Sequence, residues 1–209
     1  MKYILTFFMF GALLSAGTVN VTLLDAGNPQ VSDGTDFVSP YTLSVNGTNY
    51  AALCVDSQDW STVKASWSAN LTAVGSSSLA TTRNPGEQTE YEEAAYLYTL
   101  ITQSGADRID IQHAAWDIMN NSITSSTSLA GLKLFSGDSS YINQATANYN
   151  KSGLNFNNFD LVTSVNCPPQ QEFLICSNAP EPASFALLGI GFLMVGATRA
   201  WRGRKQVAA

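Results

Sequence analysis

The sequence predicts an α+β fold: a framework of β-hairpins and sheet with an inserted helical pair, built as a single domain and followed by a C-terminal transmembrane helix. Three observations predict it. Asn46-Gly47 sits between two runs of strand composition, the strongest short hairpin signal a sequence can carry. The apolar pattern then changes to helical period between residues 88 and 119. Both chain ends are apolar runs of the kind used for export and membranes rather than for a domain core.

Taken in order, residues 1–17 hold Lys2, an apolar run from Tyr3 to Leu14, and Ser15-Ala16-Gly17. These are the n-region, h-region and cleavage zone of a secretory signal peptide. Residues 19–24 and 37–45 have strand composition, with a Gly/Asp/Pro-rich loop between them. Residues 41–45 and 48–55 are the arms of the Asn46-Gly47 hairpin, and the second arm ends in Leu53-Cys54-Val55-Asp56. The Ser/Thr/Gly-rich stretch 61–84 has no pattern beyond loop and a short strand. From 88 to 103, Tyr91, Ala94, Ala95, Tyr98 and Ile101 recur on one helical face. Thr89-x-x-Glu92 reads as a capping box, and Glu90, Glu92 and Glu93 complement the helix dipole. Gly105 ends that helix. Asp107 caps a second, over 108–119, with Ile111, Ala114, Ala115 and Ile118 inward and Asn120-Asn121 closing it. A third, weaker helix spans 140–150, and strand composition returns at 156–165 and 172–176.

Charge narrows the function classes. The ends hold five of the ten basic residues (Lys2, Arg199, Arg202, Arg204 and Lys205) and one of the sixteen acids (Glu181). The middle of the chain therefore carries 15 acids against 5 bases, a net charge of −10. Such a surface does not track nucleic-acid phosphates. One histidine, His113, leaves no multi-histidine metal site, and no cofactor is expected.

Residues 183–198 carry no charge and precede the basic cluster Arg199–Lys205. Sixteen helical residues span about 24 Å, short of a hydrocarbon core of about 30 Å, so Arg199 must snorkel. The basic side stays cytoplasmic and the acidic domain lies outside. Pro180-Glu181-Pro182-Ala183-Ser184, the Gly-studded span and the basic tail closely resemble the PEP-CTERM sorting signal of Gram-negative bacteria. That resemblance implies cleavage near Pro180, Glu181 and Pro182 by an exosortase, after signal peptidase has acted at the other end. The inner-membrane anchor is then transient, and the protein passes to the cell surface or extracellular matrix.

Three cysteines cannot all pair internally. Cys167 and Cys176 close the shortest loop, which leaves Cys54 over. Cys54, after Leu53 on a strand, is followed 58 residues later by Gln112 in Ile111-Gln112-His113-Ala114-Ala115-Trp116. This arrangement resembles the thioester domains of Gram-positive surface adhesins, over residues 37–150. Those domains join a Cys to the Gln of a Thr-Gln-x-Ala motif; here Ile111 stands in the Thr position, and Ala114 and Trp116 complete the motif. The resemblance implies a Cys54–Gln112 thioester with Asp56, His113, Ala114 and Trp116 around it. Cysteine suits the task because its thiolate is strongly nucleophilic. Helix N–H groups near Gln112 are expected to steady the oxyanion and Trp116 to exclude water. An amine or hydroxyl would open the bond once, which makes the protein a covalent binder and not a turnover enzyme. Without a thioester, Cys54 is a buried reduced thiol, or is paired with Cys167 or Cys176.

Other constellations read more plainly. His113 is either a proton shuttle or a hydrogen-bonded residue. Asp25, Asp33 and Asp36 match no EF-hand spacing, and Trp60 and Trp67 read as core or half-buried strand residues sooner than as a sugar-binding face. The expected function is an exported, adhesin-like protein attaching to an unknown surface nucleophile or polysaccharide matrix, with no nucleic-acid partner. The alternative is a passive matrix protein without the thioester.

Overall fold

Six strands close into a barrel in the computed structural model, which describes residues 18–27, 29–126, 139–166 and 169–177. They are β1 (Val19–Asp25), β2 (Tyr41–Val45), β3 (Thr48–Cys54), β4 (Ser66–Ala73), β5 (Phe159–Ser164) and β6 (Phe173–Cys176). Their order round the barrel is β1-β2-β3-β6-β5-β4, and every neighbouring pair is antiparallel. Three helices, α1 (Gln88–Ile101), α2 (Arg108–Ser126) and α3 (Ser139–Asn148), are inserted between β4 and β5.

The hairpin forms as its turn residues require. Asn46 and Gly47 take φ of 48° and 88°, the two positive values of a type I′ turn, and Val45 pairs with Thr48 across it. Alternation then sorts each strand. Ala52 and Cys54 of β3 face the barrel interior with Val21, Leu43, Trp67 and Phe173. The Phe173 ring meets Tyr41 edge-on at 5.5 Å and stacks near Trp67 at 6.3 Å. Leu53 and Val55 face outward with Leu161 and Leu174, where they meet Tyr91, Leu97, Ile111 and Ile118 of the helices. The alanines 94, 95, 114 and 115 are fully buried there, and their small side chains let α1 and α2 approach closely. One barrel therefore carries two cores, one inside and one beneath the helical layer.

The short strand allowed for within 61–84 is β4, where Trp67 and Ala69 alternate with polar Ser68 and Asn70. Trp67 is buried there, whereas Trp60, read with it, is 70% exposed. Three further expectations change. The strand expected from residue 37 starts at Tyr41. Helix α1 has no capping box: it starts at Gln88 with Glu87 at the cap and no side-chain cap bond. Glu92 instead accepts from Gln88 Nε2 at 3.0 Å. Helix α2 continues past Asn120-Asn121, since the buried Asn120 amide is engaged by Ser57 rather than by the helix end. Asp107 does cap α2, accepting from the Asp110 N–H at 3.3 Å.

Among the described residues no helix is long and apolar enough to cross a membrane. The predicted signal peptide, the 183–198 span and the motif Pro180, Glu181 and Pro182 lie outside the described residues. Cys167 lies outside them as well, so its predicted pairing with Cys176 does too; among the described residues Cys54 and Cys176 form no disulfide.

Candidate functional site

Cys54 and Gln112 meet where the end of β3 touches the first turns of α2. Cys54 is wholly buried in the barrel interior, in register with Phe173. Gln112 is also wholly buried, and its Nε2 donates to the Cys54 carbonyl at 2.7 Å. Its Oε1 accepts two hydrogen bonds from Ser39: one from the backbone N–H at 3.2 Å, the other from the hydroxyl. The Ser39 hydroxyl oxygen in turn accepts from the Cys54 N–H at 2.9 Å. The Cys54 thiol donates to the Asp56 carbonyl at 3.1 Å. Buried polar atoms rarely go without partners, and this group satisfies itself through three chain segments.

Arg108 fixes the Ser39 segment. One turn before Gln112, its guanidinium donates to the carbonyls of Ser39 at 2.6 Å, Val38 at 3.1 Å and Pro29 at 2.8 Å. Gly27 makes room for it. A Cβ there would sit 2.5 Å from Arg108 Nη2 and 2.8 Å from the Pro40 carbonyl, and φ is +93°. His113 adds a second clamp, with Nε2 2.8 Å from Asp33 Oδ2. Burial works against the Asp33 carboxylate, but N–H donors from Asp36 and Thr35, together with His113, outweigh it and hold its pKa below the usual value. His113 thus ties a loop to the helix, as a hydrogen-bonded residue. Asp25 accepts from Gly27 and Thr42, and Asp33 from Thr35 and Asp36 N–H groups, so both carboxylates serve local turns and strands.

Trp116, one turn beyond Gln112, belongs to the barrel-interior core and stacks on His113 at 5.8 Å. It covers Cys54, whose thiol burial pushes up to about 12; the negative charge of Asp56 adds to this, and the Trp116 indole opposes it. Asp56 turns its carboxylate away, to the N–H groups of Gln58 and Asp59 and towards Arg83 at 3.6 Å. Ala114 lies in the core beneath the helices, not in the barrel interior with Cys54. Helix N–H groups were expected to serve Gln112; the donors seen at its Oε1 are those of Ser39. A serine before a proline and one arginine at a helix start carry no recognisable signal, and both were missed in sequence.

A second buried polar centre lies close by, where the Val55 N–H donates to the Glu172 carbonyl at 3.0 Å. Glu172, with no exposed surface, accepts from the Tyr91 hydroxyl at 2.5 Å, the Thr163 hydroxyl at 2.5 Å and the Arg83 N–H at 3.0 Å. Burial raises its pKa while these donors lower it, and the net shift is upward.

Residues 178–205 match the PEP-CTERM protein-sorting motif. The PEP-CTERM motif supports an exported substrate of exosortase with a transient membrane anchor. It includes Pro180-Glu181-Pro182 and the basic residues through Lys205, and it starts just after β6 ends at Cys176. No curated protein and no solved structure matches the chain. The thioester-domain resemblance of the region before the PEP-CTERM motif gains no support from these comparisons.

Proposed function

We propose that the exported domain is a single-use covalent binder whose reactive element is a Cys54–Gln112 thioester. One observation carries the reading: the Gln112 side chain is held at both ends of its amide, against Cys54 and Ser39, at a position closed to water. In the first step the Cys54 sulfur bonds to Gln112 Cδ. The Cδ–Nε2 bond breaks, and the thiol proton leaves with the nitrogen as ammonia. Charge builds on Oε1, where the two Ser39 donors already point. An incoming amine or hydroxyl then bonds to Cδ, the S–C bond breaks, and the sulfur regains a proton. The PEP-CTERM motif would deliver such a group to the cell surface or matrix, where attachment is useful.

The intact mass of the exported protein tests this before and after methylamine. A thioester makes it lighter than its sequence by one ammonia, and methylamine replaces the deficit with its own mass. A full sequence mass that methylamine leaves unchanged would sink the reading. A passive matrix protein is the second reading. It is favoured by the upward shift of the Cys54 thiol to about 12, which suits an inert core residue.

A further inference from the structure

The hydroxyl best placed to end a thioester at Gln112 belongs to the protein itself. Ser39 is wholly buried, and its side chain touches both partners of the bond. Its Oγ donates to Gln112 Oε1 and accepts from the Cys54 N–H at 2.9 Å. The Ser39 backbone N–H reaches the same Oε1 at 3.2 Å. A hydroxyl hydrogen-bonded to a carbonyl oxygen stands next to the carbonyl carbon, which here is Gln112 Cδ.

Both sides of Ser39 are fixed. Arg108 donates to its carbonyl at 2.6 Å and to the Val38 carbonyl at 3.1 Å, and Pro40 restricts the backbone that follows. A weak nucleophile held in place competes with a stronger one that must arrive, because its translational and rotational freedom is already lost. Ser39, Cys54 and Gln112 present no surface to solvent, so any outside nucleophile, water included, must first reach a closed position. The sulfur side favours the same transfer. The Cys54 thiol donates to the Asp56 carbonyl at 3.1 Å, and burial pushes its pKa up to about 12, so a sulfur released here keeps a proton. An oxygen ester is also the more stable acyl bond, since oxygen shares its lone pair with a carbonyl better than sulfur does.

We propose that Ser39 is an internal acyl acceptor: a Cys54–Gln112 thioester that meets no outside nucleophile passes to it, leaving a Ser39–Gln112 ester and a free Cys54 thiol. This rests on the thioester reading. Ser39 Oγ bonds to Gln112 Cδ, the Cδ–S bond breaks, and the hydroxyl proton moves to the sulfur. No oxidant, reductant or co-reactant enters. The product ties the segment before β2 covalently to α2 and ends capture. The reactive bond thus has a limited life, and a molecule that misses its target turns inert.

The exported protein is followed by intact mass as it ages without added nucleophile. At each age one sample receives methylamine, and another is denatured and alkylated with iodoacetamide. The ammonia deficit is expected to persist while the share that methylamine fills falls towards zero. Alkylation at Cys54 should rise to match, and peptide mapping should join the peptides holding Ser39 and Gln112. Cys54→Ala should show no deficit; an ester formed without the sulfur overturns the transfer. Ser39→Ala should lose the methylamine-resistant deficit entirely, and should that variant fail to fold, the cross-link mapped in wild type decides. A deficit that methylamine fills at every age, or one lost to hydrolysis, overturns the ester and leaves the thioester reading standing. A resistant deficit joined to any residue but Ser39 overturns the ester as well. No deficit at any age removes the thioester and the ester together.

Discussion

Two buried polar junctions join the barrel to its helical layer, and they differ in what they can do. At Glu172, a carboxylate collects hydroxyl and N–H donors from Tyr91, Thr163 and Arg83. All of those groups are poor partners for covalent chemistry with it, and the junction is a lock. At Cys54, the same economy of hydrogen bonds holds a buried cysteine against the Gln112 amide, beneath the Trp116 ring. Burial and saturation of hydrogen bonds are common to both. Residue type separates a structural junction from the one proposed to react.

The contrast breaks first at the Cys54–Gln112 pair. Cys54→Ala and Gln112→Ala should each abolish methylamine capture altogether while the protein stays folded; adducts surviving either change, seen by intact mass, would end the mechanism. The opposite behaviour is expected at the lock. Glu172→Ala leaves a buried tyrosine hydroxyl, a threonine hydroxyl and an N–H without their acceptor, and should cost about 3 kcal/mol in urea unfolding. The molecules that remain folded should still capture amine.

Ser39 sharpens the comparison further, because it serves both structure and chemistry. Ser39→Ala keeps the backbone donor but removes the hydroxyl from Gln112 Oε1 and the acceptor from the Cys54 N–H. Ammonia loss should slow by about a hundredfold, the usual effect of one oxyanion donor. Time-resolved mass on freshly refolded protein reads it. The smallest effect is pH. With the Cys54 pKa raised from 9.0 to about 12, the folded state holds a neutral thiol. Iodoacetamide labelling of any protein lacking the thioester should therefore be slow at neutral pH and rise about tenfold per pH unit towards 12. The matching stability is complete below pH 9.0 and is lost as pH climbs towards 12. Labelling that levels off near pH 9.0 would place the thiol in a more polar site.

Local elements were legible in sequence where the cause is local. The Asn46-Gly47 turn needs only two residues of φ > 0, and the faces of α1 and α2 are written in their own periodicity. The bounds of β4 were not legible, because its inward residues are few and set among Ser, Asn and Thr. Barrel closure was hidden as well, since the β1–β4 and β3–β6 pairings join distant segments. At the site, Cys54 and Gln112 were found through a resemblance. The residues that hold them, Ser39 and Arg108, act through a chain crossing that no spacing announces. Glu172 was unreadable for the same reason, its partner Tyr91 lying 81 positions away.

The strand that completes the barrel is also the last to be synthesised. β6 fills the gap between β3 and β5, so neither pairing can form until residues 173–176 have crossed the membrane. By then the sorting motif, starting at residue 178, is already at the translocation machinery. A nascent chain stalled before Phe173 would present open strand edges outside the membrane and no address for its disposal.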